Sequence, residues 1–149
     1  MDIIIKKLDR NYLKTNIEAF INILKNEPYE YWDEQNFLID LLYKYDLSYY
    51  LELDEVLVSY IISSIKQNRV AYIHKFMTDK NYRSKGLGSL IFKVFVLNCS
   101  QNNISEIQLS VIKSNDAAIK FYSNNGFSII SDKWDNINNI ESLLMLKKI

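Results

Sequence analysis

A chain of 149 residues, 48% apolar and 24% charged, is long enough to bury a sizeable core, and its ordinary globular composition excludes a disordered polypeptide. Its 18 basic and 18 acidic residues cancel, so the electrostatic footprint of a nucleic-acid or anionic-membrane binder is missing and any polyanion must be held locally. The single Cys99 permits no internal disulfide, Met1 to Lys6 lacks the basic start and long apolar stretch of a signal peptide, and no run reaches membrane-spanning length. The expectation is a cytoplasmic protein, monomer or homodimer, with no nucleic-acid and no membrane partner.

Nothing in the composition marks a domain boundary, so residues 1–149 read as a single domain. Asp2 to Leu8 reads as a short strand. Tyr12 to Lys25 places Leu13, Ile17, Phe20, Ile21 and Leu24 at helical spacing, Pro28 closes that stretch, and a second helix is predicted from Asp33 to Tyr43. Ser48 to Leu53, Val56 to Ile65 and Val70 to Met77 are rich in aromatic and β-branched residues and are divided by Asp54-Glu55 and Gln67-Asn68, the pattern of consecutive antiparallel strands. Leu87, Leu90, Ile91, Val94, Phe95 and Leu97 predict a helix reaching Ser100, and Glu106 to Val111 returns to strand. Asp116 to Asn124 reads as a short helix ended by Gly126, followed by strands at Phe127 to Ile130 and Ser142 to Leu146. The order is βααβββαβαββ, an α/β (α+β) mixture of about seven strands with four helices.

The chain has three glycines. Gly86 and Gly88 lie in Arg83-Ser84-Lys85-Gly86-Leu87-Gly88, where a strand passes into a helix, and Gly126 lies in Phe121-Tyr122-Ser123-Asn124-Asn125-Gly126-Phe127. Free backbone N–H groups at a helix start, aided by the helix dipole and by Arg83 and Lys85, form a concave site suited to a pyrophosphate. The plainer reading is a strand-to-helix turn that uses glycine for geometry. Two familiar phosphate loops are excluded: Ile91 stands where a dinucleotide fingerprint needs its third glycine, and no Gly-Lys-Ser/Thr occurs.

The second motif bears on that choice. Arg-x-x-Gly-x-Gly at a strand-helix junction, followed by Asn115-Asp116-Ala117-Ala118-Ile119-Lys120-Phe121-Tyr122 and Gly126-Phe127, resembles the GNAT family of N-acetyltransferases over Val70 to Phe127. Trp32-Asp33-Glu34-Gln35-Asn36-Phe37 is similar to a segment of the ribosomal-protein N-terminal acetyltransferase branch. The resemblance implies a GNAT-like fold with a mixed central sheet, acetyl-CoA as cosubstrate and an amine-bearing acceptor, small molecule or peptide, acetylated by direct attack in a ternary complex. It implies that Arg83, Ser84, Lys85, Gly86, Leu87, Gly88 and Ser89 cradle the coenzyme A pyrophosphate. Phe76, Met77 and Thr78 would pair with the pantetheine arm, and Asn115 would also touch the cofactor. The contrasting expectation is a catalytically weak acyl-CoA-binding sensor or scaffold.

Acetyl transfer needs an unprotonated nucleophile, a polarised thioester carbonyl and a proton for the departing thiolate. Tyr122 matches the family's general acid, a phenol protonated at neutral pH. The peptide-acetylating branch carries a glutamate where Ser110 stands, a departure that removes the usual carboxylate base. His74, the single histidine, matches a strand position where arylalkylamine acetyltransferases relay protons, and is the expected base or relay. Glu52, Asp54 and Glu55 are further base candidates. Cys99, near a helix end, fits a small buried hydrophobe better than an acetyl carrier. No metal is expected, because His, Cys and carboxylates nowhere adopt ligand spacing. The aromatics Tyr29, Tyr31, Trp32, Phe37, Tyr43, Tyr45, Tyr49 and Tyr50 read either as core or as an acceptor pocket, with Glu27, Glu30, Asp33 and Glu34 attracting an ammonium.

Overall fold

Residues 2–25, 27, 28, 30–135 and 139–149 are described by the computed structural model. The β-branched and aromatic segments form one seven-stranded sheet: β1 (Ile3–Lys7), β2 (Tyr49–Leu53), β3 (Val56–Gln67), β4 (Val70–Thr78), β5 (Glu106–Ile112), β6 (Ser128–Asp135) and β7 (Ile140–Lys148), in the spatial order β1-β2-β3-β4-β5-β7-β6. Asp54 and Glu55, both in the left-handed region at φ 49° and 69°, make the tight turn between β2 and β3. Only β4 and β5 pair in parallel, joined through the helix α4 (Leu87–Gln101). The remaining helices are α1 (Arg10–Thr15), α2 (Ile17–Leu24), α3 (Glu34–Leu38) and α5 (Asp116–Asn124).

Side chains from the two faces of the central strands feed two cores. Tyr60 and Ile62 of β3 join Leu13, Phe20, Leu24 and Phe37 under α1 to α3, and the Tyr60 hydroxyl donates to the Phe20 carbonyl at 3.1 Å. On the other face Ile61, Ile73, Ile107 and Leu109 pack against Ile91 and Phe95 of α4 and Tyr122 of α5. Each such large side chain, fully buried, contributes roughly 1.5–3 kcal/mol.

Among the described residues five α-helices stand where four were expected. The stretch from Tyr12 to Lys25 is divided at Asn16, whose backbone N–H (3.0 Å) and side-chain Nδ2 (2.9 Å) both donate to the Tyr12 carbonyl, closing α1 before α2 begins. Leu13, Ile17 and Phe20 keep helical spacing across the break because both helices face one core. The helix expected from Asp33 to Tyr43 is also shorter. It starts on a capping box in which Asp33 Oδ1 accepts from the Asn36 N–H (2.8 Å) and Asn36 Oδ1 from the Asp33 N–H (3.0 Å). It stops at Leu38, because Ile39 is extended (ψ 137°) and the buried Lys44 ammonium takes the carbonyls of Phe37 and Ile39. The strand expected at Phe127 to Ile130 reaches Asp135 along β7.

The parallel contact between β4 and β5 positions the cleft. It lasts only from Val70 opposite Glu106 to Ile73 opposite Leu109. Beyond that point β4 stays with β3, ending at Ser59 opposite Thr78, while β5 stays with β7, ending at Ile112 opposite Ser142. The strands part at a β-bulge: Ile73 opposes Ser63 and Lys75 opposes Ile62, leaving His74 as the extra residue.

Gly126 ends α5 at φ 91°, and a Cβ there would lie 2.6 Å from Lys147 Nζ, whose ammonium donates to the Asn125 carbonyl at 2.8 Å. Gly126→Ala is therefore expected to cost about 1–2 kcal/mol from left-handed strain, read as a lower urea midpoint at constant slope. An unchanged midpoint would contradict this account of the helix end.

Candidate active site

At the exit of β4 the chain makes a short 3-10 turn at Lys80–Tyr82, held by the Asn81 N–H donating to Asp79 Oδ1 at 2.9 Å. Ser84 (φ 62°) and Gly86 (φ 78°) then take left-handed backbone, and Gly86 is the N-cap residue of α4. With no side-chain cap at that position, the first N–H groups of α4 stay available to a ligand. Gly88 serves a different need. A Cβ on it would come to 3.4 Å from Thr78 Oγ1 and 3.8 Å from the Phe76 ring, so glycine lets the first turn of α4 lie against the end of β4.

Between this turn and the parted strands runs a cleft of about 650 Å³. Of the residues expected to hold a cofactor, Phe76, Met77, Thr78, Arg83, Ser84, Gly86, Leu87, Gly88, Ser89 and Asn115 line it. Lys85 does not, and its Nζ lies 5.9 Å from the Tyr82 ring centroid. Arg83 Nε donates to the Thr78 carbonyl at 3.1 Å while its guanidinium pairs with Glu27. Asn115 caps α5, Oδ1 accepting from the Ala118 N–H at 3.1 Å.

Tyr122 faces the cleft from α5 and is 9% exposed, its ring packed against Phe127 (5.3 Å between centroids) and Phe76 (6.3 Å). Burial first, and the Glu30 carboxylate second, push its phenol well above the usual range, so the proton is retained at any physiological pH. A buried phenol in this state is a proton donor.

His74 lines the cleft at the bulge, with Nε2 2.7 Å from Ser64 Oγ. Burial, and then the charges of Lys44, Lys66 and Lys75, drive its pKa down to about 4. The ring is neutral at pH 7 and has little appetite for a proton. The Tyr72 hydroxyl donates to Ser110 Oγ at 3.0 Å. The other base candidates lie elsewhere: Glu52 accepts from the Tyr12 hydroxyl at 2.5 Å and Asp54 Oδ1 from the Asp2 N–H at 2.8 Å, and neither these nor Glu55 line the cleft. Cys99 is buried under α4 with its thiol pushed up to about 12 by burial, which removes it as an acyl carrier. Among the described residues no three His, Cys, Asp or Glu side chains gather as a metal site requires.

The aromatic segments divide. Phe37, Tyr49 and Tyr50 are core, Tyr31 is 77% exposed, Tyr43 is exposed, and Tyr45 packs at the margin of the α1–α3 core. Tyr29 lies outside the described residues. Among the described members of this group only Trp32 approaches the site, 6.3 Å from the His74 ring and edge-on to Phe37 at 5.1 Å. Three of the four acidic residues are engaged, Glu27 with Arg83, Glu30 with Lys75 and Asp33 as the cap of α3, and Glu34 lies in the first turn of that helix. Lys75 and Lys66 had no signal in the sequence. Lys75 follows His74 on β4, whereas the register of β3 against β4 brings Lys66 over the Tyr72 ring, 4.8 Å from its centroid.

A cleft with uncapped helix N–H groups at one end and a buried, protonated phenol farther in suits an elongated molecule that carries an anionic group. The chain belongs to the acetyltransferase (GNAT) family, whose model matches residues 17–127. It is an N-acetyltransferase by class, and acetyl-CoA is the cosubstrate that goes with that family. No curated protein matches it in sequence. Among solved structures it resembles Ard1 from Thermoplasma volcanium (TM-score 0.88, 23% identity, 100% of this chain and 99% of that one). It is also similar to the ribosomal-protein-S18-alanine N-acetyltransferase from Escherichia coli (0.85, 20%, 99% and 94%) and to Naa50 from Arabidopsis thaliana in complex with a bisubstrate analogue, CoA-Ac-MVNAL (0.82, 20%, 100% and 100%).

The single histidine makes the electrostatics directly checkable. The imidazole resonances of His74 are expected to stay flat between about pH 5.5 and 8 and to titrate near 4, whereas an unperturbed ring titrates near 6.5. A midpoint near 6.5 by NMR overturns this picture of the site.

Proposed function

We propose that this protein transfers the acetyl group of acetyl-CoA to a primary amine of a small molecule or peptide by direct attack in a ternary complex. The observation that carries the reading is the continuous cleft from the Gly86 turn along the unpaired edge of β4 to Tyr122. Bound there, acetyl-CoA supplies an activated thioester. Its residues fit the group: Arg83 to Ser89 offer N–H groups and a guanidinium to phosphate, Phe76 to Thr78 offer a free strand edge to the pantetheine arm, and Asn115 lies beside them. Lys85 contributes through its backbone and its charge. Tyr122 delivers the proton that the departing sulfur needs. His74, neutral and bonded to Ser64, relays a proton between the acceptor nitrogen and solvent rather than storing one. The similarity to structures named for the ribosomal-protein alanine acetyltransferase and for Naa50 with a peptide-bearing analogue favours a peptide among the candidate amines.

Acetyl-CoA at millimolar concentration is expected to raise the thermal midpoint, and Arg83→Ala to weaken that shift through loss of a charge-assisted contact. Against a panel of amines and peptides, Tyr122→Phe is expected to lower kcat by about 10²-fold or more with cofactor binding intact. Stabilisation by acetyl-CoA without turnover of any amine would make the protein an acyl-CoA sensor or scaffold instead.

A further inference from the structure

The cleft is open along its length and closed at its inner end, where the parted strands come together. Ile73 and Leu109 are the last pair of the β4–β5 ladder, and both line the cleft. Each is almost fully buried, at 5% and 2% exposure. Ile91 and Phe95 of α4 and Ile107 of β5, all fully buried, belong to the same core cluster, as do Val111 and Tyr122. Interiors of this kind are close-packed, so such a wall does not retreat without displacing core side chains. Past it the two backbones are paired with each other from Ile73 back to Val70, which leaves no strand edge for a ligand to follow.

What reaches this wall follows from bond counting. The first turn of α4 lies against the end of β4, since a Cβ on Gly88 would stand 3.4 Å from Thr78 Oγ1, so the N–H groups that suit a phosphate are level with Thr78. A pantetheine arm spans about twelve atoms from its phosphate oxygen to its sulfur, the length of roughly four residues of extended backbone, or about 14 Å. Laid along the free edge of β4 from Thr78, it brings the sulfur level with His74, one residue short of the wall. A two-carbon acyl group then ends against Ile73 and Leu109. A third carbon meets filled space.

Resting on the acetyltransferase reading, we propose that Ile73 and Leu109 set the length of the acyl group: they close the channel two carbons past the sulfur, so the site takes acetyl-CoA and excludes propionyl-, butyryl- and longer acyl-CoA thioesters. One methylene too many in a filled apolar pocket lowers affinity by about 10- to 200-fold, enough to decide which thioester is used. The fork has one open side, at the exposed Ser110. A longer chain turned out that way would leave the wall untouched, and the experiment separates that case.

The test measures Kd for CoA, acetyl-CoA, propionyl-CoA and butyryl-CoA by calorimetry, with no acceptor present. CoA and acetyl-CoA are expected to bind alike, propionyl-CoA at least about tenfold more weakly, and butyryl-CoA more weakly again. Ile73→Val removes as many carbons as propionyl adds, so propionyl-CoA should recover to within about threefold of acetyl-CoA while butyryl-CoA stays excluded. Leu109→Ala should admit butyryl-CoA as well. That variant opens a core cavity and lowers stability, so the conservative Ile73→Val decides the matter if it does not fold. CoA, which has no acyl group, reports general damage: a loosened core weakens all four ligands alike and keeps their wild-type order. Equal affinity of the wild type for all four, the result of a chain leaving past Ser110, overturns the inference, and so does an unchanged order in Ile73→Val. Either result leaves the acetyltransferase reading in place. No binding of CoA or acetyl-CoA overturns both.

Discussion

The rest of this structure depends on an unfinished hydrogen-bond ladder. β4 and β5 pair over four residues and then separate, because each keeps a better partner on its far side. Backbone donors and acceptors left without partners are costly unless water or a ligand takes them, so the gap is chemically a strand-shaped vacancy. The bulge at His74 starts the divergence, and Ser59, donating to the Met77 carbonyl at 2.9 Å and lying 3.0 Å from Thr78 Oγ1, keeps the far end of β4 fastened to β3. The glycine turn sits where that fastened end meets α4. Anion site and open edge are thus consequences of one local departure from sheet regularity.

Electrostatics adds a second layer. Between α2 and α3, Glu27 and Glu30 line the cleft, one tied to Arg83 beside the glycine turn and the other to Lys75 beside His74. Tyr122 senses the same segment, since Glu30 adds to the burial that keeps its phenol protonated. Acid and acceptor surroundings are therefore set by partly shared residues.

Much of the fold was legible because runs of aromatic and β-branched residues, and the turn residues that divide them, are local signals. The strand boundaries at Asp54-Glu55 and Gln67-Asn68 coincide with tight turns, in which Asp54 takes left-handed backbone at φ 49° as its residue type allows, while at the second turn the left-handed residue is Arg69 at φ 62°. The turn at Gly86 and the stop at Gly126 were legible for the same reason. The division at Asn16 was not, because the apolar spacing of two consecutive helices on one core mimics a single helix. Nor was the early end of α3: Ile39, Leu41 and Leu42 continue a helical pattern, yet a lysine six residues beyond its last turn takes the carbonyls, and Ile39 and Leu42 face solvent. Among site residues, those in contiguous motifs were readable, while the influence of Lys44 and Lys66 on His74 was hidden because it depends on the packing of distant segments and on the register of β3 against β4.

The strand order carries a consequence for how the chain assembles. β6 has β7 as its neighbour in the sheet, and β7 is also what joins β6 to β5. During synthesis the segment bearing Ile129, Ile130 and Trp134, all exposed in the fold, emerges before the strand that will hold it. The same late strand supplies Lys147, whose ammonium closes the end of α5. The helix that presents Tyr122 is thus closed by a side chain of the last strand, so the placing of the phenol draws on a residue far along the chain from the glycine turn it faces.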